Sequence, residues 1–258
     1  MKTPRAARPA DGIAWVTGAS SGIGRSVCLE LARRGWTVVA TARRAGDLSS
    51  LAAQESHGRI LPMAGDVCDR AGIAALVAQV EQTHGPVARA FLNAGISGGR
   101  RDAFDPDAVW RTFEVNVGGV VNCLAPVIAA MAARGQGQIA VTASVAGYGG
   151  LPNSPGYGPS KAALINMAES LRLTWARRGL LVQVVNPGYV KTPLTDGNKA
   201  PMPFLVAVED AARIICDGMD ATGFEIAFPR RLTWLLKAIN RLPYAAYFPA
   251  IARVTGGR

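Results

Sequence analysis

Residues 16–27 read VTGASSGIGRSV: an apolar run ends in a turn holding Gly18, Gly22 and Gly24, then passes directly into an amphipathic segment. Each glycine has its own job in such a strand-to-helix turn. Gly18 permits the tight reversal, Gly22 lets the backbone come close to a pyrophosphate, and Gly24 lets the helix lie close on the strand. The helix N-terminus adds unpaired N–H groups that suit an anion. The spacing is G-x-x-x-G-x-G, not the commoner G-x-G-x-x-G, so the position after the first strand carries as much weight as the glycines. A Gly-rich turn placed elsewhere is ordinary loop chemistry.

On both sides of this turn, apolar runs alternate with segments of helical period, the pattern of repeated βαβ units. Strands are expected over 12–17, 37–41, 59–63, 88–93, 137–142, 181–186 and 224–228. Helices are expected over 23–34, 46–55, 69–84, 107–133, 157–178 and 208–219. The fold class is therefore α/β: a single Rossmann-type doubly wound parallel sheet of about seven strands with helices on both faces. A chain of 258 residues, 49% hydrophobic, suits one such domain over 12–228. Residues 1–11, polar and Pro-containing without an apolar h-region, are expected to be a flexible tail and not a signal peptide. Residues 229–258 form a separate extension.

Composition removes several classes. Cys28, Cys68, Cys123 and Cys216 lie far apart and only two histidines exist, so neither a disulfide framework nor a clustered metal site is expected. That usage favours the reducing cytoplasm. The longest apolar stretch, 115–133, is interrupted by Asn116, Asn122, Pro126 and glycines, and no membrane span is expected.

The end of the second strand bears on which dinucleotide is bound. An acidic residue there would take the ribose 2′-hydroxyl, but VVATARRAGD (38–47) offers Ala42, Arg43 and Arg44, with a carboxylate only at Asp47. A guanidinium suits a 2′-phosphate, so NADP(H) is expected, with Arg43 as the contact. The alternative is a pair of solvated charges at a helix start.

SPGYGPSKAALINMAESL (154–171) places Tyr157 and Lys161 at i and i+4 on one helix face. A neighbouring ammonium, with the positive ring of an oxidised nicotinamide, would lower the phenol pKa and make Tyr157 a usable general acid or base. Lys161 could also donate to the nicotinamide ribose. In IAVTASVAGYGG (139–150), Ser144 stands just past the fifth strand, where its hydroxyl could hold a substrate carbonyl or merely cap a turn.

Together TGASSGIG (17–24), NAG (93–95), Asn116, Ser144, YGPSK (157–161) and NPGYVKT (186–192) resemble the short-chain dehydrogenase/reductase family over roughly 12–228. The resemblance implies a catalytic tetrad of Asn116, Ser144, Tyr157 and Lys161, with Asn116 holding a relay water near Lys161. It also implies cofactor contacts from Gly18, Ser20, Ser21, Gly22, Ile23 and Gly24. Asp66 and Val67 of GDV correspond to the adenine contact, and Asn93, Ala94 and Gly95 to the segment beside the adenosine ribose. Pro187, Gly188, Val190 and Thr192 correspond to the loop that fixes the carboxamide. Separately, Asp66 could be a helix cap, Asn93 and Asn116 buried amides paired with backbone, and Pro187-Gly188 a plain turn. The implied activity is hydride transfer between NADP(H) and a carbonyl or secondary alcohol, run reductively where NADPH predominates. The alternative is a dinucleotide-binding sensor or scaffold with little turnover.

The loop TPLTDGNKAPMPFLVAVED (192–210) should cover the substrate; its Met202, Phe204 and Leu205, with Val145, Leu151 and Tyr189, point to an apolar pocket and a lipophilic substrate. The ending of the chain departs from the family, many of whose members stop within a few residues of a V-D-G-G type signature. The extension carries Arg230, Arg231, Lys237, Arg241, Arg253 and Arg258 without an acidic residue, more than half of the net +10 charge. Trp234, Leu235, Ile239 and Leu242 recur there at helical spacing, followed by Tyr244, Tyr247, Phe248 and Ile251. Three uses are open: packing on the body or on a second subunit, a peripheral membrane contact, or docking an acidic partner such as an acyl carrier. Nucleic acid is not expected, since no recognition motif accompanies the bases. The altered ending favours a homodimer over the family's common tetramer.

Overall fold

β1 (Ile13–Thr17), β4 (Val87–Leu92), β5 (Gly137–Thr142) and β6 (Leu180–Pro187) are buried along their whole length, as strands covered on both faces must be. The computed structural model describes residues 4–55, 59–98, 104–196 and 202–256. With β2 (Val38–Ala42), β3 (Ile60–Ala64) and β7 (Glu225–Phe228) these strands form a seven-stranded sheet in the order β3-β2-β1-β4-β5-β6-β7. Every pairing is parallel. The expected fold class holds.

Helices α1 (Gly22–Arg33), α2 (Ala45–Ala52) and α7 (Val208–Asp220) cover one face, where Val27, Leu31, Leu48, Ile215 and Met219 join one buried cluster. Helices α3 (Arg70–Thr83), α5 (Gly119–Arg134) and α6 (Tyr157–Trp175) cover the other, with Leu76, Val127, Met131 and Leu164 packed around Trp15 and Ile139. Strand order reverses at β1, flanked by β2 and β4, and a ligand crevice opens there at the carboxyl ends of the strands.

The helix expected over 107–133 is divided. α4 (Pro106–Phe113) passes through a π turn, Glu114–Gly118, into α5. Together they run from Pro106 to Arg134 with a mean hydropathy of 1.8 over the most apolar window, long and apolar enough to cross a membrane. Val120, Leu124, Val127 and Met131 are nevertheless buried in the core, which is what makes the segment apolar.

The amino end of the chain differs from expectation. Met1 to Thr3 lie outside the described residues, but the rest of the supposed tail is docked. Ala7 is buried; its N–H donates to Gln138 Oε1 at 2.9 Å and its carbonyl accepts from Arg89 at 2.8 Å. Arg5 pairs with both oxygens of Asp11, at 2.7 and 2.8 Å, and Pro9–Asp11 forms a 3₁₀ turn. A fully buried guanidinium at Arg89 needs acceptors, and this segment supplies one.

The extension folds as α8 (Arg230–Ile239) and α9 (Tyr244–Thr255). The apolar residues singled out in the sequence divide between two faces. Leu232, Leu236, Ile239, Tyr247 and Ile251 form a small core with Val145, Tyr148, Leu151 and Tyr189, while Trp234 is 65% exposed and Leu235 and Leu242 also face out. The rotation is fixed against β7. α8 follows β7 directly, and Lys237 forms an ion pair with Glu225 on that strand, so Leu232 and Leu236 turn inward. Tyr247 Oη also donates to the Gly150 carbonyl at 2.8 Å. Arg258 lies outside the described residues.

Candidate active site

A cavity of about 540 Å³ occupies the crevice at the strand reversal. Its first wall is the glycine turn. Gly18 and Gly22 have φ of +68° and +54°, a region L side chains rarely adopt. A Cβ on Gly18 would lie 2.8 Å from Ala94 Cα, and one on Gly24 only 2.2 Å from the Gly18 carbonyl oxygen. Gly24 thus allows the close helix-on-strand approach read from the sequence. Ser21 precedes α1 without a side-chain cap among the described residues, and no acidic residue occupies the first turn. Ser20, Ser21, Gly22 and Ile23 therefore border the cavity beside free N–H groups, which suits a pyrophosphate.

The second wall holds Arg43, Asp66 and Val67. Arg44 is engaged: it forms an ion pair with Asp47 and reaches Ser20 Oγ at 3.3 Å. Arg43 is exposed on the rim with no hydrogen-bond or ion-pair partner among the described residues. Asp66 Oδ1 accepts from the Cys68 N–H at 3.0 Å, which orders the turn. Asn93, Ala94 and Gly95 continue the lining. Thr17 Oγ1 accepts from the Asn93 and Ala94 N–H groups at 3.0 and 3.3 Å, and Thr142 Oγ1 donates to Asn93 Oδ1 at 3.3 Å. A free cation, an uncapped helix start and a cradle that a Cβ would fill together fit a dinucleotide.

The far wall carries Ser144, Tyr157 and Lys161, with Pro187, Gly188, Val190 and Thr192 beside them. Tyr157 opens α6 and Lys161 follows one turn later, its Nζ 5.6 Å from the centre of the tyrosine ring. That ammonium is 3% exposed and donates to the Thr142 carbonyl at 2.8 Å. Ser144 does cap a turn, accepting from the Ala146 N–H at 3.1 Å, and its Oγ also reaches the Pro187 carbonyl at 3.3 Å. Its hydroxyl favours the ionised form of the nearby Tyr157 phenol. The turn-capping alternative and the position beside the tyrosine hold together.

Asn116 stands behind the lining, on the π turn. Its Oδ1 accepts from the Ile96 N–H at 2.8 Å, and its Nδ2 donates to the Ile96 carbonyl and to Ser160 Oγ, both at 3.0 Å. Ser160 Oγ in turn donates to the Tyr157 carbonyl at 2.7 Å. A Cβ on Gly95 would lie 3.1 Å from Asn116 Oδ1 and 3.4 Å from Lys161 Nζ, so the amide and the ammonium border the same small space. Thr17, Thr142 and Ser160 were not singled out from the sequence. Ser160 stood within the quoted YGPSK, and Thr142 two residues before Ser144.

Burial sets the ionisation of this wall. It lowers the Lys161 ammonium to about 8 and raises the Tyr157 phenol, opposed by the Ser144 hydroxyl. The lowering expected for Tyr157 counted on the positive ring of an oxidised nicotinamide beside Lys161; burial by the protein alone acts the other way. The desolvation that lifts the phenol also lowers the lysine.

Among the described residues, the side chains expected to form an apolar substrate wall lie elsewhere. Val145, Leu151 and Tyr189 belong to the small core under α8 and α9, and Phe204 and Leu205 are exposed. None of these, nor Met202, borders the cavity; Ile96, Val115 and Leu194 do. Residues 197–201 of that loop lie outside the described residues.

The strand order and the cradle at its reversal define a Rossmann-type dinucleotide-binding protein. Residues 12–202 match the short chain dehydrogenase family. The chain belongs to that family, whose members are oxidoreductases that bind a nicotinamide dinucleotide. It is 33% identical over 93% of its length to an uncharacterized oxidoreductase of Myxococcus xanthus, covering 96% of that protein. It is 35% identical over 73% of its length to the cis-4-hydroxycyclohexanecarboxylate dehydrogenase of Sinomonas cyclohexanicum, covering 77% of it. The solved 3-ketoacyl-(acyl-carrier-protein) reductase of Brucella melitensis, complexed with NADH, superposes with a TM-score of 0.76 at 25% identity. That match covers 84% of this chain and 96% of the other.

Proposed function

We propose that this chain is an NADP(H)-dependent oxidoreductase acting on a carbonyl or secondary alcohol of a lipophilic small molecule, with Tyr157 as general acid and base. The observation that carries this reading is the convergence of Ser144, Tyr157 and Lys161 on the wall of a cavity that also takes in the glycine cradle. When bound, the dinucleotide supplies the hydride in reduction and takes it in oxidation. Gly18, Ser20, Ser21, Gly22 and Ile23 would hold its pyrophosphate, with Gly24 behind them. Asp66, Val67, Asn93, Ala94 and Gly95 would hold the adenosine half. Pro187, Gly188, Val190 and Thr192 would hold the carboxamide, and Lys161 the adjoining ribose.

In reduction Ser144 Oγ holds the substrate oxygen beside the phenol, and Tyr157 gives that oxygen its proton. Lys161, with its pKa near 8, returns a proton to the tyrosine. Asn116 borders the same space and would position the water that links Lys161 to solvent. Oxidation reverses each transfer.

Arg43 supports the choice of NADP, because it is the guanidinium at the end of β2 without a partner among the described residues, while Arg44 is held by Asp47. The Brucella neighbour holds NADH, so the choice in this chain rests on Arg43. Ile96, Val115 and Leu194 at the cavity, and the hydroxycyclohexane in the name of the Sinomonas relative, support a lipophilic substrate. Four free cysteines suit the cytoplasm, and exposed Trp110, Val121 and Leu173 on α4, α5 and α6 suit a homodimer. The test is NADPH absorbance with a panel of cyclic ketones. Ketone-dependent oxidation is expected; NADPH binding without turnover on any ketone would leave a dinucleotide sensor in its place.

A further inference from the structure

α9 is apolar nearly all round, yet Tyr247 and Ile251 are its buried residues. Tyr244 is 77% exposed and Phe248 64%, and the two rings stack on each other with centroids 5.7 Å apart. On α8 the outward face carries Trp234 and Leu235, and Leu242 follows in the connection. A helix of this composition is ordinarily covered.

The charges around it identify the cover. Arg230, Arg231, Arg241 and Arg253 are exposed and have no ion-pair partner among the described residues; Lys237 alone is paired, to Glu225. No acidic residue occurs from 229 to 258. A second copy of this chain seated on the same face across a two-fold axis would bring two such arginine sets together without a counter-charge. An anionic bilayer meets both needs, taking the aromatic and aliphatic side chains at its interface and the guanidinium groups at its phosphates.

We propose that the outer face of α8 and α9 docks on an anionic lipid surface. Its apolar members enter the headgroup boundary and its arginines bind lipid phosphates. The inner face of the same helices packs on Val145, Tyr148 and Leu151, which follow Ser144 in the chain. Docking therefore places α8 and α9 between the bilayer and the segment that follows Ser144.

The test is co-sedimentation of the full chain with vesicles, independent of any turnover. At low salt the protein should pellet with phosphatidylcholine vesicles containing phosphatidylglycerol and not with phosphatidylcholine alone, and high salt should release it. Each arginine-to-glutamine change at 230, 231, 241 or 253 should weaken binding about fivefold. Phe248→Ser should weaken it further. Because all five positions are exposed, the variants should keep the thermal midpoint of the wild type; should the combined arginine variant lose it, single changes and Phe248→Ser carry the test. Trp234 emission should shift to the blue on phosphatidylglycerol vesicles, a change missing in Trp234→Phe. Failure to pellet with those vesicles at low salt would overturn the proposal. So would binding indifferent to the arginine changes, or a dimer that Phe248→Ser dissociates in a protein that binds no vesicle.

Discussion

Both ends of the sheet bury polar side chains, and they use them in opposite ways. Toward the amino ends of the central strands, Arg89 is fully buried and almost fully engaged. Its Nε donates to Gln138 Oε1 at 2.9 Å, and its Nη2 reaches the Ala7 carbonyl and Asp220 Oδ1, both at 2.8 Å. Gln138 Nε2 donates to Gln183 Oε1 and the Met219 carbonyl, each at 2.6 Å, and Gln183 Nε2 to the Gly218 and Gly223 carbonyls at 2.9 and 2.8 Å. Arg89 Nη1 has no hydrogen-bond partner among the described residues, but the guanidinium carbon lies 4.6 Å from the centre of the Trp36 ring. At the carboxyl ends, Lys161 has three N–H donors and, among the described residues, spends them on the Thr142 carbonyl alone, beside an open cavity. Buried polarity consumed by protein partners builds the fold. Buried polarity with donors to spare, next to space, is free to do chemistry.

The largest change in stability is expected at the amino ends. Arg89→Ala would remove a side chain packed on Trp36 and leave the buried Ala7 carbonyl without its donor, costing about 3–4 kcal/mol. Denaturant unfolding measures this. Dinucleotide affinity of the folded protein should be unchanged, since the two ends share no side chain.

At the carboxyl ends the sign reverses. With its pKa lowered from 10.5 to about 8, Lys161 sheds its proton earlier in the folded protein than in the unfolded chain, which still binds it up to 10.5. Below 8 both states hold the proton and the full burial penalty stands; between 8 and 10.5 the unfolded state binds more protons, so stability rises with pH. Relative to Lys161→Met, the wild type should gain about 3 kcal/mol across that window. Thermal midpoints of both proteins from pH 7 to 10.5 test it, and a constant gap would show that the lysine is not desolvated. Reductive turnover should decline over the same range as Lys161 loses its proton.

A smaller effect is expected at the rim. Arg43→Ala should reduce the preference for NADPH over NADH about tenfold, by loss of a charged hydrogen bond to the 2′-phosphate. Fluorescence titration with each nucleotide reads this directly, and an unchanged ratio would assign the choice elsewhere.

Much of this contrast was legible in the sequence, and the rest has physical reasons for being hidden. The glycine turn and the strand–helix alternation gave the sheet, because parallel strands buried on both faces leave long apolar runs. The cavity wall was legible because Ser144, Tyr157 and Lys161 sit at strand and helix ends whose positions the topology fixes. Docking of the N-terminal segment was not foreseen, although Arg89 inside the otherwise apolar VARAFL strand, with Gln138 and Gln183 on the next two strands, was its signal. The rotation of α8 could not be read, since Trp234/Leu235 and Leu232/Leu236 both recur at helical period. Contacts distant in sequence, the Lys237–Glu225 pair and the packing on Val145 and Tyr148, select one of them. The π turn at Asn116 leaves no period of its own, and the raised Tyr157 phenol depends on how deeply the site is buried.

Proton transfer by Tyr157 is measured most directly by comparing NADPH binding and ketone-dependent NADPH oxidation in the wild type and in Tyr157→Phe. Loss of the hydroxyl should leave nucleotide affinity within a small factor of the wild type and reduce turnover by about 10²–10⁴-fold. Turnover equal to the wild type, with nucleotide still bound, would contradict a role for this phenol as the proton donor.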